Sequence, residues 1–317
     1  MTKVKICGIT NLEDALLSAK FGADALGFNF YEKSPRYITP EKAREIIEQL
    51  PKEILKVGVF VNESLDKIVE IASIAKLDAL QLHGEETPEF ARELKLKTNL
   101  EIIKAFRVSP EFKSEDVLQY EVDAILLDAY NPQDHGGTGE TFDWEIAKKV
   151  QDIFPKMYLA GGLKHENVNR AIYETKTFAV DICSGIEQSR GVKDKVKLIN
   201  FVTKVKNDYL QNPYESFSSY LAYIHRYPVM FIGKKSLTLL RNFFIGFEEA
   251  LKVNKLKYDT FFSDFDEFVR CKYRQNGAWG YDRRILEKVD NDEEKAVDLF
   301  FALLEEFKLE KEDLGEN

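Results

Sequence analysis

Lys3-Val4-Lys5-Ile6-Cys7-Gly8-Ile9-Thr10 decides how the chain is read: a short alternating run ends on a cysteine, breaks at a glycine and turns at once toward a helix. Val4 and Ile6 share one face at a spacing of two, which is the period of a strand, and Gly8 ends the run. Thr10 followed by Glu13 is a capping-box pattern, and Leu12, Ala15, Leu16 and Ala19 then recur at helical spacing. The unit is a strand feeding a helix, with Cys7 at the strand's end. A thiol just ahead of a helix N-terminus faces unsatisfied N–H groups, which favour negative charge and draw its pKa below the usual ~8.5. So placed, Cys7 can work as a base near neutral pH. The position also suits a small buried hydrophobe, since free cysteine is among the most buried residue types.

Outward from this stretch the unit repeats. Strand patterns follow at residues 24–30, 56–61, 77–82, 101–106, 124–128, 156–160 and 178–182. Thr39-Pro40-Glu41 and Thr87-Pro88-Glu89 are N-caps with proline at the first helical position, and Asn62-Glu63-Ser64 caps a helix between them. A weaker helical segment falls at 114–120, and further helices at 165–174 and up to Lys206. Eight strands alternating with eight helices predict an α/β fold, a closed parallel (β/α)8 TIM barrel, over residues 1–207. A doubly wound open sheet is the competing topology.

The remainder has another character. Of the 23 phenylalanines and 14 tyrosines, twelve and eight lie beyond residue 207, where strand–helix alternation stops. Asn212-Pro213-Tyr214 reads as a linker. Helical spacing then links Phe217, Tyr220, Leu221 and Ile224; Leu237, Leu240, Phe243, Phe244 and Phe247; Phe261, Phe265, Phe268 and Val269; and Ala296, Leu299, Phe300, Leu303, Leu304 and Phe307. Residues 208–317 are expected to form an appended small all-α domain of about four helices, with Gly277-Ala278-Trp279-Gly280 in a turn. Nothing in this stretch names its role, and a protein partner for it is left open.

The chain is 317 residues long, 44% hydrophobic and 31% charged, an ordinary globular balance. A net charge of −9, with no basic cluster, argues against nucleic acid or an anionic membrane surface as partner. Cys7, Cys183 and Cys271 have neither disulfide-framework nor metal-ligand spacing, so no metal or other cofactor is expected, and a reducing cytoplasm fits. The N-terminus runs into a strand pattern without a basic-then-apolar leader.

Barrels of this class build their active sites at the C-terminal ends of the strands. Cys7 ends the first strand, Arg36 lies in the second loop, His83 follows the fourth strand and Asp128 ends the sixth. Gly161 and Gly162 follow the seventh, and Asp181, Ser184 and Gly185 close the eighth. Glycine turns at the last two strands suit a phosphate held by backbone N–H groups, which implies a small phosphorylated substrate. A carboxylic acid and a thiol facing each other across such a substrate make an acid–base pair for isomerisation. Arg36 can clamp a second anion. Each residue has a plainer reading too: Asp128 as a loop cap, Arg36 as a solvated loop cation, His83 as a structural histidine that shapes the pocket floor.

Lys5-Ile6-Cys7-Gly8-Ile9-Thr10, Leu26-Gly27-Phe28, Ser34-Pro35-Arg36-Tyr37, Val57-Gly58-Val59-Phe60-Val61-Asn62 and Gln81-Leu82-His83-Gly84 carry a resemblance. So do Leu127-Asp128, Gly136-Gly137-Thr138-Gly139 with Phe142-Asp143-Trp144, Ala160-Gly161-Gly162-Leu163 and Asp181-Ile182-Cys183-Ser184-Gly185-Ile186-Glu187. Over residues 1–207 the chain resembles the phosphoribosylanthranilate isomerases of tryptophan biosynthesis. The resemblance implies an Amadori rearrangement of N-(5-phosphoribosyl)anthranilate, with Asp128 as general acid and Cys7 as general base. It further implies that Arg36 holds the anthranilate carboxylate, that the glycine turns hold the phosphate and that Asp181 contacts a sugar hydroxyl. Cys183 departs from the serine expected there and puts a second thiol near the site. Two other readings compete: a different phosphosugar isomerase or epimerase, and a catalytically idle barrel that carries a helical interaction or regulatory domain. The latter would have lost catalytic residues, and all the expected ones are present.

Overall fold

A computed structural model describes residues 1–129, 143–206, 217–253, 261–274, 277 and 279–313. The Gly136-Gly137-Thr138-Gly139 stretch with Phe142, the Asn212-Pro213-Tyr214 linker and Ala278 lie outside the described residues. The chain divides into two compact units, Met1–Lys206 and Asn207–Asn317.

The first unit is a closed barrel of eight parallel strands: β1 (Lys3–Cys7), β2 (Ala25–Asn29), β3 (Leu55–Phe60), β4 (Ala79–Leu82), β5 (Glu101–Val108), β6 (Ala124–Ala129), β7 (Met157–Leu159) and β8 (Ala179–Ile182). Closure comes from β8 pairing with β1, in the register Lys3↔Ala179 through Ile6↔Ile182. The strand period of two gives each strand two fates. Val4, Ile6, Leu26, Phe28, Leu80 and Val180 join an outer core with the helices. Ala25, Val57, Ala79, Ile103, Ala105, Ala124, Leu126, Tyr158, Ala160 and Ala179 fill the interior. The many alanines among them leave room for the long side chain of Lys5, which is fully buried, whereas Lys104 shares the outward face of β5 with Ile102 and is buried there against Glu86.

Helices α1 (Leu12–Lys20), α2 (Pro40–Ile47), α3 (Leu65–Ala75), α4 (Pro88–Thr98), α5 (Trp144–Ile153), α6 (Val168–Thr175) and α7 (Lys195–Lys206) follow the strands. Thr39 and Thr87 cap α2 and α4 through their hydroxyls, each followed by proline, as their sequences predict. Three expectations need correction. Thr10 does not cap α1: Asn11 does, its side chain accepting from Asp14 N, while the Thr10 hydroxyl donates to Gly191 O. Between β5 and β6 there is a 3-10 turn, Ser114–Gln119, rather than an α-helix, because only Val117 in that segment is buried and no apolar stripe exists to dock a longer element. Finally, α6 starts at Val168, not at residue 165.

The second unit is all helical where described: α8 (Phe217–Arg226), α9 (Pro228–Ile232), α10 (Leu237–Val253), α11 (Phe261–Tyr273), α12 (Tyr281–Lys288) and α13 (Glu293–Asp313). That is six helical segments where spacing predicted about four. The single turn α9 is too short to show a period, and α12 buries Tyr281, Arg284 and Ile285, a face that apolar counting does not find. Phe244, Phe265, Phe300, Leu304 and Phe307 form the core, with ring pairs such as Phe265–Phe300 at 5.3 Å and edge-on.

Candidate active site

The C-terminal ends of the strands enclose a cavity of about 260 Å³, and all nine residues singled out from the sequence line it: Cys7, Arg36, His83, Asp128, Gly161, Gly162, Asp181, Ser184 and Gly185. The barrel's closure explains the convergence, since residues more than a hundred positions apart end neighbouring strands on one rim.

At the floor, Lys5 and Cys7 sit two apart on β1 and so project from the same face. Lys5 is fully buried, and its Nζ lies 2.9 Å from Asp181 Oδ1 on the adjacent β8. Burial opposes the Lys5 ammonium, but Asp181 and Cys7 outweigh it and raise its pKa above the ordinary lysine value. Burial pushes the Asp181 carboxyl up to about 6, partly offset by the charge of Lys5.

The Cys7 thiol is drawn well below its ordinary pKa. The largest cause is a hydrogen bond from Cys183; burial opposes, and the charges of Lys5 and Lys193 add to the lowering. The cause expected from the sequence, a helix N-terminus, is replaced by this thiol and the cations, because α1 begins only at Leu12.

Asp128 ends the opposite side of the rim. Its Oδ1 accepts from Ala129 N at 2.9 Å, and its Oδ2 lies 3.3 Å from His83 Nε2. Gln81 Nε2 is 2.7 Å from His83 Nδ1. Assigning the amide nitrogen as donor makes Nδ1 the acceptor and places the ring proton on Nε2, facing Asp128. His83 is thus a neighbour of the carboxylate as well as part of the pocket wall.

Arg36 is gripped by Glu187, with Nε 2.9 Å from Oε1 and Nη2 2.8 Å from Oε2. Lys193, on the short hairpin formed by β9 (Glu187–Ser189) and β10 (Val192–Lys193), shares Glu187 at 3.2 Å and donates to Cys7 O at 2.6 Å. The Nε/Nη2 edge of the guanidinium is therefore committed to Glu187, and only its other N–H groups are left to face an anion in the cavity.

Gly161 and Gly162 have φ of +80° and +61°, and a Cβ on Gly161 would stand 2.5 Å from Ala129 N, so the turn after β7 requires glycine. A Cβ on Gly185 would meet Leu163 O at 2.1 Å, so the turns after β7 and β8 lie against each other. Together with Ser184 and the cation Arg190 they form one wall of the cavity. Among the described residues, no group of three or more His, Cys, Asp or Glu side chains is placed to hold a metal ion, and no helix is long and apolar enough to cross a membrane.

Sequence reasoning missed Lys5, Gln81, Glu187, Arg190 and Lys193. Lys5 had a signal, its even spacing from Cys7 on a strand. Lys193 had none, since a lysine beyond the last strand reads as solvated surface.

The family model described as N-(5'phosphoribosyl)anthranilate (PRA) isomerase matches residues 4–204. The N-(5'-phosphoribosyl)anthranilate isomerase of Pelobacter propionicus is 50% identical over 206 residues, which span 65% of this chain and 96% of that protein. The crystal structure of phosphoribosyl anthranilate isomerase from Thermotoga maritima is 48% identical, with a TM-score of 0.60 over 64% of this chain and 98% of that one. A further isomerase structure, in complex with reduced 1-(o-carboxyphenylamino)-1-deoxyribulose 5-phosphate, is 46% identical, with a TM-score of 0.58 over 64% of this chain and 97% of that one. No family model matches the C-terminal region. Over its barrel the chain belongs to the N-(5'-phosphoribosyl)anthranilate isomerase family, the isomerases of tryptophan biosynthesis.

Proposed function

We propose that Cys7 and Asp128 carry out the two proton transfers of the isomerase reaction, on N-(5'-phosphoribosyl)anthranilate bound across the barrel mouth. The observation that carries this reading is the placement of a low-pKa thiol on β1 and a carboxylate on β6 around a single cavity that glycine turns close on one side. Asp128 delivers a proton to the furanose ring oxygen, the C1′–O bond breaks and an iminium ion forms. The Cys7 thiolate takes the C2′ proton, leaving an enolamine that tautomerises to the 1-deoxyribulose 5-phosphate. C1′ is reduced as C2′ is oxidised within one molecule, an aldose–ketose isomerisation of the intramolecular oxidoreductase class. Neither transfer needs a cofactor.

Lys5 and Lys193 favour the charged form of the base. The remaining N–H groups of Arg36 receive the anthranilate carboxylate, while Gly161, Gly162, Ser184 and Gly185 receive the phosphate. Asp181, which keeps Lys5 charged, and His83, against Asp128, complete the contacts to the sugar. Three free thiols suit a reducing cytoplasm. The helical unit at 207–317 is read as a separate domain with no part in this chemistry.

The test is the loss of anthranilate fluorescence when purified protein meets freshly formed substrate. Rapid quenching that Cys7→Ala and Asp128→Asn abolish is the expected result. An inert wild-type protein would favour the idle scaffold instead.

A further inference from the structure

Two thiols stand at the barrel mouth, and the proposed reaction uses only one. β1 and β8 are hydrogen-bonded neighbours in the register Ile6↔Ile182, so the next residues along, Cys7 and Cys183, are neighbours too. Adjacent strands lie about 4.8 Å apart, within the roughly 4.4–6.8 Å between Cα atoms that a disulfide spans without backbone movement. Lys193 Nζ pins both chain ends, 2.6 Å from Cys7 O and 3.4 Å from Cys183 O. The side chains also converge: a Cβ built on Gly8 would stand 2.9 Å from Cys183 Sγ, one built on Gly27 2.9 Å from Cys7 Sγ, and each thiol is the largest single influence on the other's pKa. Both cysteines are free, partly exposed and open to the same cavity.

The two are chemically unlike. Cys7 is drawn well below the ordinary thiol pKa, while the interaction with Cys7 and burial hold Cys183 well above it. An attacking thiolate beside a protonated partner is the arrangement of a cysteine that meets an oxidant and is then resolved by its neighbour.

We propose that Cys7 and Cys183 form a peroxide-sensitive modification site that closes a reversible disulfide across the ends of β1 and β8. In the first step the Cys7 sulfur attacks one peroxide oxygen and the O–O bond breaks. Cys7 becomes a sulfenic acid, and the other oxygen leaves, protonated by solvent, as water or an alcohol. In the second step the Cys183 sulfur attacks the Cys7 sulfur, the S–O bond breaks, and the departing hydroxyl leaves as water with the proton that Cys183 gives up. Glu187 Oε1, 3.6 Å from Cys183 Sγ, is in place to pass that proton on. The two sulfurs together lose the two electrons that the peroxide gains. Loss of activity on closure rests on the reading of Cys7 as the base; formation of the bond does not.

The experiment treats the reduced full-length protein with hydrogen peroxide at neutral pH and blocks the remaining thiols. The non-reduced digest is then mapped by mass spectrometry, and turnover is assayed before and after dithiothreitol. The expected result is a linked peptide pair containing Cys7 and Cys183, with turnover down at least ~10-fold, given that a placed base is worth about 10²- to 10⁴-fold, and restored by the reductant. Cys183→Ser, compared with its own untreated activity, should lose turnover that dithiothreitol does not restore once Cys7 passes to the sulfinic acid. A linked pair formed without loss of turnover would support the site and overturn the reading of Cys7 as the base. Absence of the linked pair, with Cys7 passing to sulfinic acid alike in wild type and Cys183→Ser, would overturn the proposal.

Discussion

The barrel and the helical unit bury different things. The barrel buries charged side chains in pairs, Lys5 with Asp181, Lys104 with Glu86, and Lys193 with Glu187. The helical unit packs phenylalanine against phenylalanine, buries a cation, Arg284, whose Nη2 donates to Gly277 O at 2.9 Å, and keeps ion pairs such as Arg270–Glu267 and Lys295–Asp292 at its surface. Buried charge is costly: breaking such a pair loses about 3–5 kcal/mol, whereas a well-packed apolar replacement is often neutral or stabilising. Stability alone therefore does not account for the barrel's pairs, and two of them, Lys5–Asp181 and Lys193–Glu187, adjoin the cavity, which Asp181 and Arg36, the partner of Glu187, line. An aromatic core needs no such reason, since burial of the rings is its own reward.

Substitutions at the rim and in the helical core should then fail in opposite ways. The largest effect on turnover belongs to Cys7→Ala and Asp128→Asn, each lowering kcat at least ~100-fold on a folded barrel, because a placed acid or base is worth about 10²- to 10⁴-fold. Steady-state kinetics with circular dichroism checks both halves of that statement, and near-normal kcat in either variant would remove that residue from the mechanism.

Arg36→Met should lower kcat/KM by roughly 10- to 150-fold, the equivalent of a charge-assisted hydrogen bond of about 1.5–3 kcal/mol, mainly through KM. A loss confined to kcat would mean that Arg36 acts on the transition state rather than on the anthranilate carboxylate.

The thiols sharpen the comparison further. Cys271, in the helical unit, is exposed, yet its hydrogen bond to Glu267 raises its pKa; Cys7 is less exposed, and its pKa is lowered. Since the thiolate is the nucleophile, iodoacetamide at pH 7 should label Cys7 before Cys271. The Cys7 rate should fall as the pH is lowered through its own pKa, while that of Cys271 should rise steeply only above neutral pH. Peptide mapping over a time course reads the order, and faster labelling of Cys271 would mean that exposure outweighs charge.

Phe300→Ala, at the centre of the helical core, should destabilise its own unit by about 3–5 kcal/mol. Turnover per active site should not change. Two separate unfolding transitions, of which only one moves, would be seen by calorimetry; a parallel loss of turnover would join the two units functionally.

These contrasts were unevenly legible in the sequence. All eight strands begin within two residues of where alternation places them, because a strand buried on both sides leaves a dense apolar signature. The nine rim residues were readable because loops that follow strands collect at one end of a closed barrel. What escaped was long-range pairing. Glu187 holds Arg36 across 151 positions of chain, and no spacing rule reaches that far. The turn at Ser114–Gln119 and helix α12 escaped for another reason: each has few buried apolar residues, so the periodicity that marks other helices is thin there.

We propose that the barrel alone is a complete isomerase and that the helical unit adds nothing to its site. Eight strands close on themselves within Met1–Lys206, leaving no sheet edge for a later segment to pair with, and the Pelobacter propionicus relative is almost wholly spanned by the barrel part of this chain. The most direct measurement is a matched pair, the full chain and residues 1–206, assayed for turnover and thermal midpoint in the same buffer. A soluble, folded fragment whose kcat/KM stays within a few-fold of the full chain is the expected result. A fragment that folds but is catalytically dead would contradict it, and would place part of the active site in the helical unit.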